Sequence, residues 1–119
     1  MVARSDRRAA KSFARTLLVH MLKLKVSPRF EARNGWMRTV RRCRRQIEAM
    51  LEEDSNLEAE FPSLASSEWA RAVRKAVSEL EQFGEDTIPL RSLTFHDIAG
   101  PNARYVLDSN HLPEPPDSE

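Results

Sequence analysis

The chain has 119 residues, of which 40% are hydrophobic and 31% charged, with a formal net charge of +1 and one cysteine. That length fits a single domain, and no apolar run approaches the ~20 residues that a transmembrane helix needs. One cysteine excludes an internal disulfide and fits a reducing cytoplasm, which is the localisation that we expect. With 3 glycines and no alternating run of β-branched residues, the sequence favours an all-α fold.

The small net charge conceals two halves of opposite sign. Residues 1–48 hold 14 Lys/Arg and 3 Asp/Glu, a charge of +11, whereas residues 49–119 hold 5 Lys/Arg and 15 Asp/Glu, a charge of −10. Such asymmetry is typical either of a nucleic-acid-binding face or of two halves that attract each other. We favour mutual attraction, because surface charge alone does not specify a partner.

The first predicted helix follows a basic N-terminal segment and runs to about Lys25. Ser5 is a candidate N-cap, and the residue before Pro28 avoids helical backbone, so the helix should end near Val26. Its apolar residues recur at helical spacing: Ala10, Phe13, Ala14, Leu17, Leu18, Met21 and Leu24.

The second predicted helix spans residues 35–57 and follows a short connection, so the two helices should form an antiparallel hairpin. Asn34 or Gly35 is expected to cap its start, and residues 55–56 to end it. Its narrow apolar stripe has steps of four and three residues: Trp36, Val40, Cys43, Ile47, Met50 and Leu51. Five arginines lie within two turns and repel one another, so we expect an acidic partner nearby: Arg38, Arg41, Arg42, Arg44 and Arg45.

The second half predicts a third long helix. Residues 57–61 are expected to form one turn broken at Pro62, and Ser66 or Ser67 to cap a helix over residues 68–83 that stops at Gly84. Its apolar stripe repeats the steps of four and three residues: Trp69, Val73, Ala76, Leu80 and Phe83.

Beyond Gly84 the helical pattern weakens. Thr94 is expected to cap a short helix that ends at Ala99, and another turn is expected at residues 102–107. Residues 108–119 are acidic and rich in proline, and such a tail cannot build a core. We therefore predict one all-α domain over residues 1–107, a small bundle of a hairpin and a third helix, followed by an irregular acidic C-terminal tail.

The core of this bundle should consist of the residues that lie centrally on the three stripes. Trp36 and Trp69 are expected to be largely buried on facing stripes, since each begins a run that needs an opposite surface. The predicted core is Phe13, Leu17, Met21, Trp36, Val40, Cys43, Ile47, Leu51, Trp69, Val73 and Leu80.

Two segments carry a resemblance to a known family: RSDRRAAKSFARTLLVHMLK, and WMRTVRRCRRQIEAMLEEDSNL after the turn at Pro28. Together they resemble the bacterial family called domain of unknown function 29. Residues 107–113, LDSNHLP, are similar to its closing motif, with His111 where an aromatic is usual. The resemblance implies an all-α fold and supplies no activity. The matching positions are His20, Lys23, Pro28, Trp36, Arg41, Arg44, Arg45, Ile47 and Leu51.

Members of that family usually carry an acidic helix before the point that matches Arg4. The resemblance therefore leads us to expect basic faces without a cover, and apolar edges at Leu18 and Leu22. Three narrow stripes also make a thin core. We expect a homo-oligomer, most simply a two-fold dimer in which the first helix meets its symmetry mate, or an acidic helix supplied by a partner.

No arrangement of acid, base and nucleophile emerges, so we expect no catalytic residues, no cofactor and no metal. His20 could be a general base or a metal ligand, but no second ligand lies three or four residues away, which favours a boundary histidine near Trp36. Cys43 lies on the apolar stripe and should be buried and inert. The acidic run Glu52, Glu53 and Asp54 is interpreted as an exposed helix end rather than a metal site.

The basic surface is the one functional signal that we retain. Eight cations on the first two helices could neutralise several phosphates, yet no helix-turn-helix spacing or exposed aromatic series supports base recognition. We therefore predict a non-enzymatic protein-interaction or self-association module, with nucleic-acid binding through the arginine-rich face as the alternative and no membrane partner. The eight residues are Arg7, Arg8, Lys11, Arg15, Arg38, Arg41, Arg42 and Arg45.

Overall fold

The computed structural model describes residues 4–116. Within that range the secondary structure is helical throughout and contains no strand, which confirms the prediction of an all-α helical bundle. None of the described helices combines the length and apolar character needed to cross a membrane. The helices are α1 Arg4–Val26, α2 Arg33–Glu53, α3 Ser55–Ser67, α4 Trp69–Gln82, α5 Ile88–Arg91, α6 Phe95–Ala99 and α7 Arg104–Leu107, with 3₁₀-helices at Phe30–Ala32 and Pro101–Ala103.

Helices α1 and α2 form the predicted antiparallel hairpin. The predicted third long helix is α4, and it is preceded by a further helix, α3, from which the single residue Glu68 separates it; both pack alongside α1. The described residues measure 48 × 24 × 24 Å, so the bundle is about twice as long as it is wide.

Helix α1, rather than α2, lies at the centre of the molecule. Leu18 and Leu22 are both 0% exposed, so the expectation that they form uncovered apolar edges is wrong. The cause is that α1 is enclosed by its own chain, with α2 on one side, α3 and α4 on another, and α5, α6 and α7 packed against it as well. The apolar face of α1 is therefore covered by the same chain, so the symmetry mate that we expected to meet this face is not needed to bury it.

Seven of the predicted core residues are buried: Leu17, Met21, Val40, Cys43, Ile47, Leu51 and Leu80. The other four pack against the core while remaining partly exposed: Phe13, Trp36, Trp69 and Val73. Trp36 and Trp69 are thus mostly covered, as expected, but their stripes do not face each other, because α1 packs between α2 and α4. The ring of Trp36 lies beneath the ammonium group of Lys23, 5.7 Å from it, and Trp69 meets Phe95 edge to face at 5.8 Å.

The ends of α2 differ from the prediction. Arg33 already has helical backbone, because the 3₁₀-helix Phe30–Ala32 leads directly into α2, so Asn34 and Gly35 lie inside the helix rather than capping it. The helix ends at Glu53. Asp54 takes an extended conformation, with φ −143°, and its carboxylate accepts hydrogen bonds from the next helix as the N-cap of α3.

Helix α3 continues through Pro62, so the expected break there is wrong. Proline removes one backbone donor, and the carbonyl that loses it belongs to Glu58. Both residues are exposed, so water can satisfy that carbonyl. Meanwhile Leu57, Phe61 and Ala65 are buried at four-residue spacing, which holds the helix against the bundle.

The predicted stop of α4 at Gly84 is confirmed. Gly84 has φ +73°, its N–H donates to the carbonyl of Glu81 at 2.9 Å, and the N–H of Glu85 donates to the carbonyl of Leu80 at 3.1 Å. This is the Schellman arrangement, in which a glycine with positive φ closes the helix. The start is different from the prediction, because Glu68 rather than a serine occupies the N-cap position.

The segments after Gly84 wrap around one side of α1. Helix α5 was not predicted, whereas α6 was, and Thr94 and Asp97 form a capping box at its start. The described part of the predicted tail contacts the helices: His111 stacks on Tyr105 at 4.1 Å, and a guanidinium nitrogen of Arg33 donates to the carbonyl of Pro113 at 3.3 Å. The domain boundary at residue 107 stays a prediction.

Candidate functional site

Three cations of α1 are paired with acids of the second half of the chain. Arg7 donates to both carboxylate oxygens of Glu60 at 2.8 Å, Arg15 donates to Glu68 at 3.2 Å, and Lys23 donates to Glu79. Arg29, just after α1, lies 3.8 Å from Glu85. We call these four pairs the ion-pair ladder: Arg7–Glu60, Arg15–Glu68, Lys23–Glu79 and Arg29–Glu85.

The ladder neutralises two of the four α1 cations that we predicted to form a basic surface, because acids of the same chain pair with Arg7 and Arg15. The hydrogen bond from Arg7 lowers the pKa of Glu60, and the same bond raises the pKa of Arg7. Arg8 is exposed and Lys11 half-buried, and neither forms an ion pair with any residue in the range 4–116. Attraction between the two halves of the chain therefore explains the pairing of Arg7 and Arg15, but it does not explain Arg8 and Lys11.

Glu68 is the most deeply buried acid of the ladder, at 1% exposure. One of its oxygens accepts from Arg15 at 3.2 Å, and the other accepts from Arg71 at 3.3 Å. Because a buried carboxylate without partners is costly, the two guanidinium groups make its position between α3 and α4 possible. Both oxygens are thereby engaged in holding the bundle together.

Arg44 is turned inward, unlike its neighbours on α2. It is 3% exposed, and its Nε and Nη2 donate to the backbone carbonyls of Val106 and Tyr105 at 2.8 and 2.9 Å. Burial lowers the pKa of Arg44. Its position four residues after Val40 and seven before Leu51, at the border of the apolar stripe, is the sequence signal that could have separated it from the other arginines.

Apart from Arg33 and Arg44, the arginines of α2 point into solvent. Four exposed side chains occupy about 100° of the helix, opposite Ile47, and extend over ~10 Å of its length. Within the described range, none of the four has an acidic group within ion-pairing distance. We call these residues the arginine face: Arg38, Arg41, Arg42 and Arg45.

The same outward side of α2 becomes acidic towards its C-terminal end. Glu48, Glu52 and Glu53 are exposed there, and they likewise form no ion pair within residues 4–116. Helix dipoles favour acids near the N-terminus and cations near the C-terminus, so this order of charges is the unfavourable one. We call these three residues the glutamate end.

A shallow cavity of about 220 Å³ lies where the two charged regions meet. It is lined by Arg41, Arg44, Arg45 and Glu48 of α2 and by Ser109. The arginine face, the glutamate end and this cavity therefore form one continuous polar surface, and they are the candidate functional site.

Cys43 lies on the inner side of α2 and is 1% exposed. Burial raises the pKa of its thiol, and the nearby charge of Arg42 opposes that rise without reversing it. The thiol is therefore protonated and enclosed, which is the environment of an unreactive cysteine.

His20 lies at the edge of the core. A ring nitrogen, Nδ1, is 2.8 Å from the carbonyl of Thr16, one turn earlier on α1. Burial is the main cause that lowers the pKa of His20, and Lys23 and Lys75 lower it further against the opposing effects of Thr16 and Glu79. Within residues 4–116, no three His, Cys, Asp or Glu side chains lie close enough together to hold a metal ion.

A second cavity, of about 670 Å³, opens at the end of the hairpin. Its walls are mainly apolar, with exposed Phe30 on one side and Glu85 on another. Glu85 accepts a hydrogen bond from the hydroxyl of Ser27 at 2.6 Å through one oxygen, and its other buried oxygen accepts none within the described residues. Arg29 lies beside this acid and also covers the ring of Phe83 at 4.0 Å, so the cavity adjoins the last rung of the ion-pair ladder through Glu85.

Comparison with known families identifies the class of protein that this helical bundle represents. The family model described as domain of unknown function DUF29 matches residues 1–97, which is most of the chain. The chain therefore belongs to the DUF29 family, as the resemblance in its first two helices predicted. Comparisons with curated proteins and with solved structures give no match.

Proposed function

We propose that this chain is a non-enzymatic protein-interaction module, and that α2 binds an acidic helical segment along its outward surface. The observation that carries the proposal is a contrast between two sets of cations. Arg7 and Arg15 on α1 are neutralised by acids of the same chain, whereas the arginine face has no ion-pair partner within the described residues. A cytoplasmic setting, in which Cys43 stays a thiol, is part of the proposal.

The repulsion inside the arginine face supplies a physical reason for a partner. Pairs such as Arg38 and Arg42, or Arg41 and Arg45, are one turn apart, and like charges at that spacing destabilise a helix by a few tenths of a kcal/mol each. An acidic segment laid along α2 would convert this repulsion into attraction. The arginine face would also attract such a segment over a Debye length of about 10 Å at 0.1 M salt, which accelerates association.

The glutamate end favours a protein partner over a nucleic acid. Glu48, Glu52 and Glu53 continue the same outward side of α2, and their carboxylates would repel a phosphate backbone that followed the helix. A polypeptide can instead place cations opposite these acids. The exposed large apolar side chains of the described range, Phe30, Phe83 and Ile88, lie outside α2, so no aromatic platform for bases accompanies the arginines.

A binding experiment with two ligands tests the proposal. A fluorescent helical peptide rich in glutamate and a fluorescent DNA duplex are each titrated with the protein at 50 and 200 mM salt. We expect the peptide to bind more tightly than the duplex, and the double variant Arg41→Glu with Arg45→Glu to weaken peptide binding at least tenfold.

The matched control changes two exposed cations elsewhere, Arg74→Glu with Lys75→Glu on α4. This variant alters the net charge by the same amount and should bind the peptide like the wild type. Tighter, salt-dependent binding of the duplex would instead establish a nucleic-acid-binding function. Equal losses in both double variants would show that peptide binding follows net charge and not the arginine face.

A further inference from the structure

We infer that the acidic segment bound by α2 is the α2 helix of a second copy, packed antiparallel about a two-fold axis. This inference rests on the proposed function, since it uses the same surface and names its partner. The observation behind it is that the outward side of α2 carries both charges that an interface would need, cationic in its first half and anionic in its second.

The spacing of the charges is self-complementary. Arg41, Arg45, Glu48 and Glu52 follow one another at steps of four, three and four residues, so they lie in one stripe on the outward side of α2. If two such stripes meet antiparallel with the axis between the levels of Gln46 and Ile47, Arg45 of each copy lies opposite Glu48 of the other. Arg41 then lies opposite Glu52, and the symmetry creates each pair twice.

The described surface suits this arrangement in three respects. All four side chains of the stripe are exposed, and none of them is used in an ion pair within residues 4–116. The 220 Å³ depression lined by Arg41, Arg45 and Glu48 leaves room for side chains of a neighbouring helix. On the solvent side of the stripe the neighbouring exposed residues are Arg38, Arg42 and the small Ala49, and none of these is a bulky apolar group.

Antiparallel packing also corrects the unfavourable order of charges along α2. In one copy, the cations lie towards the positive end of the helix dipole and the acids lie at its negative end. A second α2 in the opposite direction brings its acidic end to the basic half of the first. Each dipole then meets charges of the opposite sign, which neither helix can provide for itself.

The interface should be weak and sensitive to salt. A single pair of helices joined by hydrated ion pairs buries less than the ~1,600 Å² of a standard stable interface, and such pairs are screened by ions. We therefore expect micromolar dimerisation at 50 mM salt and at least a tenfold loss of affinity at 500 mM salt.

Sedimentation of charge-swapped variants tests the pairing directly. The variant Arg41→Glu with Arg45→Glu makes the stripe wholly acidic, and the variant Glu48→Arg with Glu52→Arg makes it wholly basic. Each should be monomeric alone, because like charges meet in its dimer, and an equimolar mixture should form a heterodimer. The variant Arg74→Glu with Lys75→Glu should dimerise like the wild type, and circular dichroism checks that every variant is folded.

Three results would overturn the inference. They are a monomeric wild type at several hundred micromolar in 50 mM salt, a mixture of the two swapped variants that stays monomeric, and swapped variants that dimerise as tightly as the wild type. The acidic peptide separates this failure from failure of the proposed function. A monomeric chain that binds the peptide through the arginine face retains the function and loses only the second copy as its partner.

Discussion

The guanidinium of Arg44 donates from Nε to the backbone carbonyl of Val106 over 2.8 Å, linking the second helix to the last helix of the described chain. Its Nη2 donates to the adjacent carbonyl of Tyr105. These two carbonyls belong to α7, which is too short to satisfy its own C-terminal acceptors. The buried cation therefore acts as a cap, in the position where a helix dipole favours positive charge.

Replacing Arg44 should destabilise the protein more than replacing an exposed arginine. Arg44→Met removes two charge-assisted hydrogen bonds and leaves the carbonyls buried, so we expect a loss of about 2–3 kcal/mol in the free energy of unfolding. Urea denaturation measures this loss, and Arg74→Met on the exposed side of α4 should stay within about 0.5 kcal/mol of the wild type. Equal stability of the two variants would mean that the cap contributes nothing.

The buried Glu68 should couple more strongly to its arginine than the half-exposed Glu60 does. Glu68→Gln retains the shape but removes the charge shared by Arg15 and Arg71, so we expect a loss of about 1–2 kcal/mol. A double-mutant cycle with Arg15→Met should give a larger coupling energy than the corresponding cycle for Arg7 and Glu60. Urea denaturation in low and high salt supplies both cycles, and only the second coupling should nearly vanish in high salt.

Two glycines with the same φ should respond differently to alanine. Gly84 has φ +73° and open space around it, so Gly84→Ala should cost about 1 kcal/mol for the left-handed backbone alone. Gly100 has φ +74° with ψ −175°, a region open essentially to glycine, and a Cβ there would lie 2.6 Å from Cε2 of Tyr105. We expect Gly100→Ala to cost about 3 kcal/mol or more, since backbone strain and a ring displacement add.

Thermal melts of the two glycine variants make the comparison. A midpoint for Gly100→Ala equal to that of Gly84→Ala would show that the Tyr105 ring moves aside freely. His111, which stacks on that ring, should report the same displacement by its NMR shifts.

His20 should make the folded protein less stable as the pH falls below its ordinary pKa of 6.5. Because burial lowers the pKa of His20 in the folded state, the unfolded chain takes up a proton first, and protonation then favours unfolding. The stability that the uncharged imidazole of His20 contributes is fully present above pH 6.5, and it is lost as the pH falls towards the pKa of His20 in the folded state. The free energy of unfolding, measured by urea denaturation, should decrease from pH 7.5 to pH 5, and His20→Gln should reduce this decrease. If the decrease is the same in the variant, other titrating groups cause it.

The long helices were predictable because each repeats apolar residues in steps of four and three. That signal located α1, α2 and α4, and local chemistry located the stop at Gly84 and the N-cap at Thr94. The pattern of apolar residues failed where packing against distant segments decides which side chains are buried. Leu18 and Leu22 looked uncovered because only three helical stripes were assigned, whereas α3, α5 and α7 also pack against α1.

The candidate site was predictable in part for the same reason. Helical spacing places Arg38, Arg41, Arg42 and Arg45 on the outward side of α2, where the structure has them. Spacing could not distinguish Arg7 and Arg15 from these four, because their acidic partners lie in a different helix. At Pro62 a local signal was misleading. Proline usually ends a helix, but tertiary packing of its apolar neighbours keeps α3 helical there.

Each rung of the ion-pair ladder joins a cation to a carboxylate that is translated 53 to 56 residues later. At ~5–20 residues per second, the ribosome delivers that carboxylate about 3 to 11 s after its partner. During this interval the nascent chain exposes a helical hairpin whose first 48 residues carry a charge of +11. Synthesis itself therefore creates a transient polycation, and four of its positive charges find their partners only when the carboxylates of the ladder, between residues 60 and 85, have been added.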